Sequence, residues 1–291
     1  MKEIQRSRTA EGAAAVRASH LLKDSPIVFA DHFALPLSAF PWQKAVSNPI
    51  LNKIVFGALM RPLNPIKAQV LARARFTEDR VLAAVKGGMK QVVVIGAGLD
   101  SFCLSHPELR DSVTVYEIDH PGSQNFKKER LAKAGIPIPS NLEFIAADLE
   151  REDLATALKN SSFDSSQPAF FYWLGVTVYL SRDAIFSTLK ALVEVAAKSS
   201  ELAFDYATSF DEIMKGQKYK IKLLQIYTRL SGEPLIDNNF TPEQFLKDVA
   251  DIGYALKENM SPEQQYEAYF SERKDGMEPV SGCYFAHFEI A

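Results

Sequence analysis

The apolar residues in the second part of this chain form short, uninterrupted runs. Five such runs occupy residues 91–95, 113–118, 142–147, 169–173 and 202–206. A continuous apolar run of this length is typical of a strand that is buried on both faces of a parallel sheet. Stretches with helical periodicity separate the runs. The pattern therefore predicts an alternation of strands and helices.

Two of the helical stretches have recognisable beginnings. Residues 182–198 have apolar side chains at helical spacing and follow Ser181, which we expect to cap the helix. Residues 241–244, Thr-Pro-Glu-Gln, are typical of a capping box at the start of another helix. Two more strands are predicted at residues 254–258 and 283–290. The predicted fold class is thus α/β, with a doubly wound, mostly parallel, seven-stranded sheet.

The first part of the chain lacks any strand signal. Residues 10–22 and 66–85 are predicted to be helices, joined by a proline-punctuated, loop-rich stretch. We therefore expect a helical extension over residues 1–90 that packs on a core of residues 91–291. Within that core, residues 208–239 are long for a connection and predict a lid-like insertion over the site.

Composition narrows the possible partners. The 291 residues include 33 basic and 36 acidic side chains, a net charge of −3 that gives no indication of a nucleic-acid partner. Two distant cysteines form neither a metal-binding pattern nor a disulfide framework. No apolar run reaches the length of a membrane span, and no signal peptide is recognisable. These features predict a cytoplasmic protein without membrane or metal partners, either a monomer or a weak homo-oligomer.

The candidate chemistry lies where three predicted strands end. Gly96 and Gly98 follow the first strand directly and allow a cofactor to approach the backbone closely. Asp119 ends the second strand, where a carboxylate can bind ribose hydroxyls. Asp148 and Leu149 follow the third strand and suit an adenine ring, the acid binding its amine and the leucine packing on its face. Together these features predict an adenosine site.

A dinucleotide site explains the same residues less well. The G-x-G-x-x-G pattern requires a third glycine, and Ser101 stands at that position. Asp100 would also repel a pyrophosphate near the helix N-terminus. S-adenosylmethionine carries no phosphate and its sulfonium is positive, so it tolerates an acidic loop.

At this point the sequence resembles the leucine carboxyl methyltransferase family, most closely its bacterial branch of S-adenosylmethionine-dependent O-methyltransferases. The resemblance covers nearly the whole chain. Its ordered motifs are residues 73–79, 91–101, 115–121, 147–149, 173–180 and 240–243. The resemblance implies a class I methyltransferase with a Rossmann-like fold and S-adenosyl-L-methionine as its cofactor.

The resemblance also implies roles for single residues. Arg75, in preference to Arg73, would bind the methionine carboxylate of the cofactor, since a guanidinium binds a carboxylate through two hydrogen bonds. The remaining cofactor contacts would come from Gly96, Gly98, Glu117, Asp119, Asp148 and Leu149. Leu174 departs from the family, which usually has Glu at this position near the methionine end, and leucine cannot balance the ammonium group.

The sequence defines the residues that would contact the methyl acceptor less well. Tyr179 and Tyr206, with Asp205, lie at predicted strand ends and are the candidate catalytic residues. O-methylation of a small-molecule or carboxyl-bearing acceptor is the leading hypothesis. Leu174 motivates one alternative, a protein that binds the cofactor without turnover. A nicotinamide-dependent oxidoreductase is the other alternative, disfavoured by Ser101 and by the Asp148-Leu149 pair.

Overall fold

The computed structural model describes residues 7–149, 152–230 and 232–291, with only the backbone at 212–218 and 227. A seven-stranded sheet in the order β3-β2-β1-β4-β5-β7-β6 forms its centre. The strands are β1 (Gln91–Ile95), β2 (Thr114–Asp119), β3 (Leu142–Ala146), β4 (Phe170–Trp173), β5 (Glu201–Ala207), β6 (Tyr254–Met260) and β7 (Cys283–Ile290). The first five strands are parallel, and β7 runs antiparallel to both β5 and β6. The predicted fold class is confirmed.

Both faces of the sheet are covered by apolar layers. Every residue of β1 is buried, and its side chains alternate between the two layers. Val92 and Val94 pack towards the helices that precede the sheet in the chain, whereas Val93 and Ile95 pack towards helices that follow it. This double burial explains why the strands are uninterrupted apolar runs in the sequence.

The helices before and between the strands complete the two layers. They are α1 (Arg8–Lys23), α2 (Ala34–Leu37), α3 (Phe40–Ser47), α4 (Pro49–Asn52), α5 (Asn64–Lys86), α6 (Phe102–Ser105), α7 (Pro121–Lys133), α8 (Leu154–Lys159), α9 (Arg182–Val195), α10 (Phe210–Leu230), α11 (Pro242–Ile252) and α12 (Pro262–Tyr269). A π-helical turn at Lys53–Leu59 and three 3-10 turns also occur, one of them at Thr177–Tyr179. No helix in these described parts of the chain is long and apolar enough to cross a membrane.

Two local predictions are wrong. The proline-punctuated stretch between α1 and α5 is a series of short helices rather than loop, because proline is tolerated in the first turn of a helix. The capping box expected at Thr241 does not form, since the Thr241 side chain makes no capping hydrogen bond. The box occurs instead at Ser261, where Gln264 donates its backbone N–H to the serine hydroxyl and accepts from the serine N–H.

Candidate functional site

A cleft of about 1750 Å³ lies beyond the carboxyl ends of the parallel strands. One face of α5 forms a wall of the cleft, and residues of α1 and α10 cover it. Open α/β sheets bind their ligands at this edge. Sites for one small ligand commonly measure roughly 300–1000 Å³, so this cleft has room for a cofactor and a second molecule.

The loop after β1 brings its backbone close to neighbouring elements. Gly96 has a φ of 65° and Gly98 a φ of 51°, values that favour glycine. A Cβ atom on Gly96 would lie 2.8 Å from Cγ2 of Val176, and one on Gly98 would lie 3.1 Å from Cβ of Ala10. Both glycines line the cleft, and neither position has room for a larger residue.

Asp119 holds this loop in place from the end of β2. Its carboxylate accepts hydrogen bonds from the backbone N–H groups of Gly98 and His120, the second at 2.6 Å. Burial raises the pKa of Asp119, and the two N–H donors oppose that effect. The side chain lines the cleft, and an ionised carboxylate retains lone pairs for a ligand.

Asp148 and Leu149 line the same cleft beyond the end of β3. Leu149 is 37% exposed, which is high for a leucine. The side chain therefore offers an apolar contact surface beside an acid, within the cavity that Asp119 also lines. The structure thus brings the three strand-end features together.

Glu117 does not line the cleft, so the structure does not place it beside the other predicted cofactor residues. It points to the same side of β2 as Asp119 but lies two residues back from the strand end, where it is buried. Its carboxylate pairs with Nζ of the equally buried Lys127, which also donates to the Asp100 carbonyl. Glu117 is thus a structural residue that ties β2 to α7.

We expect Glu117 to shape the pH dependence of stability. Burial raises the pKa of Glu117 from 4.5 to about 7 despite the favourable Lys127 charge. A carboxyl with a raised folded-state pKa contributes stability that is present at low pH and lost as pH rises through its folded pKa. Between about pH 4.5 and 7 the free energy of unfolding should therefore fall more steeply in the native protein than in Glu117→Gln. Urea unfolding across that range measures this difference, and parallel profiles would contradict it.

Of the two candidate arginines of α5, the structure places the less favoured one in the cleft. Arg75 is exposed, lies outside the cleft and pairs with Asp79 one turn along the helix, at 2.9 Å. Arg73 lines the cleft instead. Residues two apart on a helix project roughly 200° apart, so only one of them can face the sheet edge. The structure thus places Arg73, and not the expected Arg75, beside the other predicted cofactor residues.

Arg73 is fixed between two elements of the sheet edge. Its Nη1 atom lies 3.2 Å from Oδ2 of Asp205, which is buried near the end of β5. Its guanidinium occupies the space where Gly175, at a φ of 69°, would carry a side chain. The Gly175 N–H in turn donates to Oδ1 of Asp205 at 2.6 Å. This network presents a guanidinium in a defined orientation beside Leu174, an apolar residue that also lines the cleft.

Only one of the two candidate tyrosines lines the cleft. Tyr179 lines the cleft, and burial raises the pKa of its phenol. Tyr206 is buried on the opposite face of β5, stacked on Phe245 with its hydroxyl donating to Asn259. Successive strand residues face opposite sides, so Asp205 faces the cleft and Tyr206 cannot. Tyr206 is therefore not placed to contact a molecule in the cleft.

The sequence analysis gave no site role to several residues that line the cleft, among them Gln69, Thr9 and Glu233. Gln69 lies on α5 one turn before Arg73. Thr9 begins α1 and donates from both its N–H and its hydroxyl to Glu233, which follows α10. The helical spacing of Gln69 and Arg73 was a local signal, whereas the contact between Thr9 and Glu233 joins segments 224 residues apart and leaves no local pattern.

The residues present suit S-adenosyl-L-methionine. The glycines expose backbone where a Cβ would clash, the strand-end carboxylates offer acceptors for hydroxyl and amine donors, and Arg73 offers a cation for a carboxylate. The described residues contain no group of His, Cys, Asp or Glu placed to hold a metal ion. Fold and donor set together define a class I S-adenosyl-L-methionine-dependent methyltransferase.

Comparison with known proteins agrees with this class. The profile of the leucine carboxyl methyltransferase family matches residues 10–193, and the chain belongs to this family. YktD of Bacillus subtilis, a candidate S-adenosyl-L-methionine-dependent methyltransferase, is 30% identical over 99% of each chain. S-adenosyl-L-methionine is therefore the cofactor, and the alternative of a nicotinamide-dependent oxidoreductase is wrong.

Solved structures share the fold. A DUF574 family protein of Streptomyces avermitilis superposes with a TM-score of 0.62 at 14% identity, over 95% of this chain and 97% of that one. A candidate methyltransferase of Thermobifida fusca gives a TM-score of 0.59 at 16% identity, over 99% and 96% of the two chains. At these identities the likeness establishes the fold alone.

Proposed function

We propose that the protein methylates an oxygen atom, specifically a carboxylate of a small-molecule acceptor. The observation that supports this proposal is the pairing of the polar groups where Tyr179 and Asp205 line the cleft. Burial raises the pKa of Tyr179, so its phenol keeps its proton at neutral pH. Asp205 already accepts from Gly175 and Arg73. Neither residue is suited to remove a proton, and an ionised carboxylate requires no such removal.

The cofactor contacts follow from the side chains that line the cleft. We assign Asp119 to the ribose hydroxyls, Asp148 and Leu149 to the adenine, and the Gly96–Gly98 backbone to the methionine part. Arg73 takes the role first expected of Arg75, binding the methionine carboxylate. Since Leu174 cannot accept a hydrogen bond, other acceptors of the cleft, either backbone carbonyls or the carboxylates that line it, have to bind the methionine ammonium.

The residues of the chain promote the reaction by positioning the cofactor and the methyl acceptor. When bound, S-adenosyl-L-methionine supplies an electrophilic methyl group on a positive sulfonium. The Arg73–Asp205 pair fixes the orientation of one wall, and the protonated Tyr179 hydroxyl can donate to the acceptor oxygen. Residues of α1 and α10 line the cleft opposite the sheet edge and limit the access of water to it. Correct placement of two reactants can supply several kcal/mol of the barrier reduction, about 7–11 in well-oriented systems.

The test is the chemical nature of the methylated product. Purified protein is incubated with S-adenosyl-L-methionine carrying a labelled methyl group and a panel of aliphatic and aromatic carboxylic acids. A methyl ester releases labelled methanol in mild base, whereas methyl ethers and N-methyl groups do not. We expect base-labile label that depends on the acid. Base-stable label would overturn the carboxyl assignment, and tight cofactor binding without transfer would favour the alternative of a binding protein.

A further inference from the structure

Large apolar side chains are exposed on the outer face of the segment that runs from α4 into the π-helical turn. Ile50, Ile54 and Leu59 project into solvent, and Ile50 and Leu59 are each 71% exposed. Asn52 and Phe56, in the same segment, are buried. Residues four apart lie on one face of a helix, so Ile50 and Ile54 form an apolar face that turns away from the core. A helix at the surface of a globular protein usually presents polar side chains there.

Helix α10 repeats this arrangement. Its buried residue Ile221 lines the cleft. Its outer face carries Tyr219, Ile226 and Leu230, of which Leu230 is 79% exposed. The helix contacts the 3-10 turn at Arg61–Leu63, which lies directly beyond the segment with the first apolar face. The two outer faces therefore adjoin, and we call the three exposed apolar residues of each segment together the roof face.

The two segments of the roof face are rich in basic residues and lack acids. Residues 32–77 contain six Lys and Arg residues and no Asp or Glu, and residues 213–232 contain five Lys and Arg residues and no Asp or Glu. The rest of the chain has 22 basic and 36 acidic side chains. Lys53, Lys222 and Arg229 are exposed and form no ion pair with a described residue. The roof face is thus apolar and positive in a protein whose net charge is negative.

This combination fits the surface of an anionic bilayer. Segments that lie on a membrane insert large apolar side chains at the boundary between headgroups and acyl chains. Neighbouring Lys and Arg side chains extend to the anionic headgroups. Such a segment does not cross the bilayer, so it requires no spanning helix, and the described parts of the chain contain none. The expectation of no membrane partner rests on the absence of a spanning run alone.

Other partners fit the roof face less well. A second copy placed on it by two-fold symmetry would bring two positive surfaces together. Nucleic acid would match the charge, but single strands are bound by aromatic side chains that stack on bases. Five of the six roof-face side chains are aliphatic and offer no such stacking.

We propose that the roof face binds the surface of an anionic lipid bilayer. The elements that carry the roof face also line the cleft with their inner sides, through Met60 and Leu63 on one and Ile221 and Leu224 on the other. A helix with its side chains is about 10 Å across, so a bilayer on the roof face lies about one helix layer from the cleft. This placement is independent of the atom that the enzyme methylates.

Sedimentation of the full chain with lipid vesicles tests the proposal. One set of vesicles consists of phosphatidylcholine, and in the other about a third of the lipid is anionic phosphatidylglycerol. We expect at least about tenfold stronger binding to the anionic vesicles, because each basic side chain near such a surface adds to the attraction. Raising the salt concentration should weaken this binding, since salt screens the charges.

The double variant Ile54→Ser/Leu230→Ser removes one exposed apolar side chain from each segment. We expect it to bind the anionic vesicles at least about tenfold more weakly, because binding scales with the apolar area that is inserted. Ile138→Ser is the matched control, since Ile138 is also exposed but lies outside both segments. It should bind like the native protein. Both variants should retain the native Tm, which shows that they fold.

The outcomes decide between a bilayer and other partners. Loss of binding in the double variant, with full binding of Ile138→Ser, supports the proposal. Equal binding of the native protein to both vesicle types, or binding to neither, overturns it. Unchanged binding of the double variant also overturns it, because charge alone then accounts for the attraction. Tight binding to a DNA oligonucleotide, or a stable dimer in analytical ultracentrifugation, by a protein that does not bind vesicles would assign the roof face to that partner instead.

Discussion

Asp119→Ala should weaken the binding of S-adenosylhomocysteine by at least about 100-fold. Hydrogen bonds to a charged group contribute roughly 1.5–3 kcal/mol each, and a ribose offers two hydroxyls. The substitution also releases the Gly98 and His120 N–H groups that the carboxylate holds. Calorimetric titration of both proteins measures the loss. An affinity within tenfold of the native value would remove Asp119 from the cofactor site.

The pH dependence of the same titration adds a check on Asp119. Because burial raises the pKa of Asp119, its protonation begins above the usual range of an aspartate. Binding that requires the carboxylate should therefore weaken as pH falls through that raised pKa. Asp119→Asn, which retains one carbonyl acceptor for the loop, should bind weakly at every pH and lose this dependence. Circular dichroism confirms that the variants remain folded.

Arg73→Gln should abolish most of the methyl transfer and destabilise the protein. It removes the guanidinium proposed for the methionine carboxylate, and it leaves the buried Asp205 with the Gly175 N–H but without a cation. Breaking a buried ion pair from one side commonly costs about 3–5 kcal/mol. Urea unfolding measures the stability, and turnover of labelled S-adenosyl-L-methionine measures the activity.

Arg75→Gln provides a control from the same helix. Arg75 is exposed and pairs only with Asp79 among the described ion pairs. Exposed pairs of this kind contribute roughly 0.3–0.5 kcal/mol. We expect activity within twofold of the native value and little change in stability. If Arg75→Gln lost activity and Arg73→Gln retained it, the cleft would bind its cofactor in another way.

The strands and their ends could be predicted because the sheet imposes local patterns. A strand buried on both faces, such as β1 or β4, is an uninterrupted apolar run, and the seven strands lie close to where the sequence indicates. Parallel strands also end at one edge, which brings Gly96, Asp119 and Asp148 to the same cleft. A residue that the sequence places at the end of a parallel strand is therefore also predicted to lie in the site.

The sequence predictions and the structure differ at residues whose contacts depend on the direction in which the side chain points. The doubly buried β5 is apolar on both sides, so the sequence does not show that Asp205 faces the cleft and Tyr206 the other layer. The choice between Arg73 and Arg75 depends on the rotation of α5 about its axis. Glu117 faces the correct side of β2, but its depth and its Lys127 partner come from the packing of α7. These properties depend on three-dimensional packing.

The contact between Thr9 and Glu233 has a consequence for the order of protein synthesis. A ribosome makes the first helix early, but the residue that it contacts across the cleft emerges 224 residues later. At about 5–20 residues per second, α1 waits at least about ten seconds for this partner. During that interval the apolar side chains of α1 lack part of their final contacts. Until then α1 can pack against α2, α3 and α5, the earlier elements that it contacts in the folded protein.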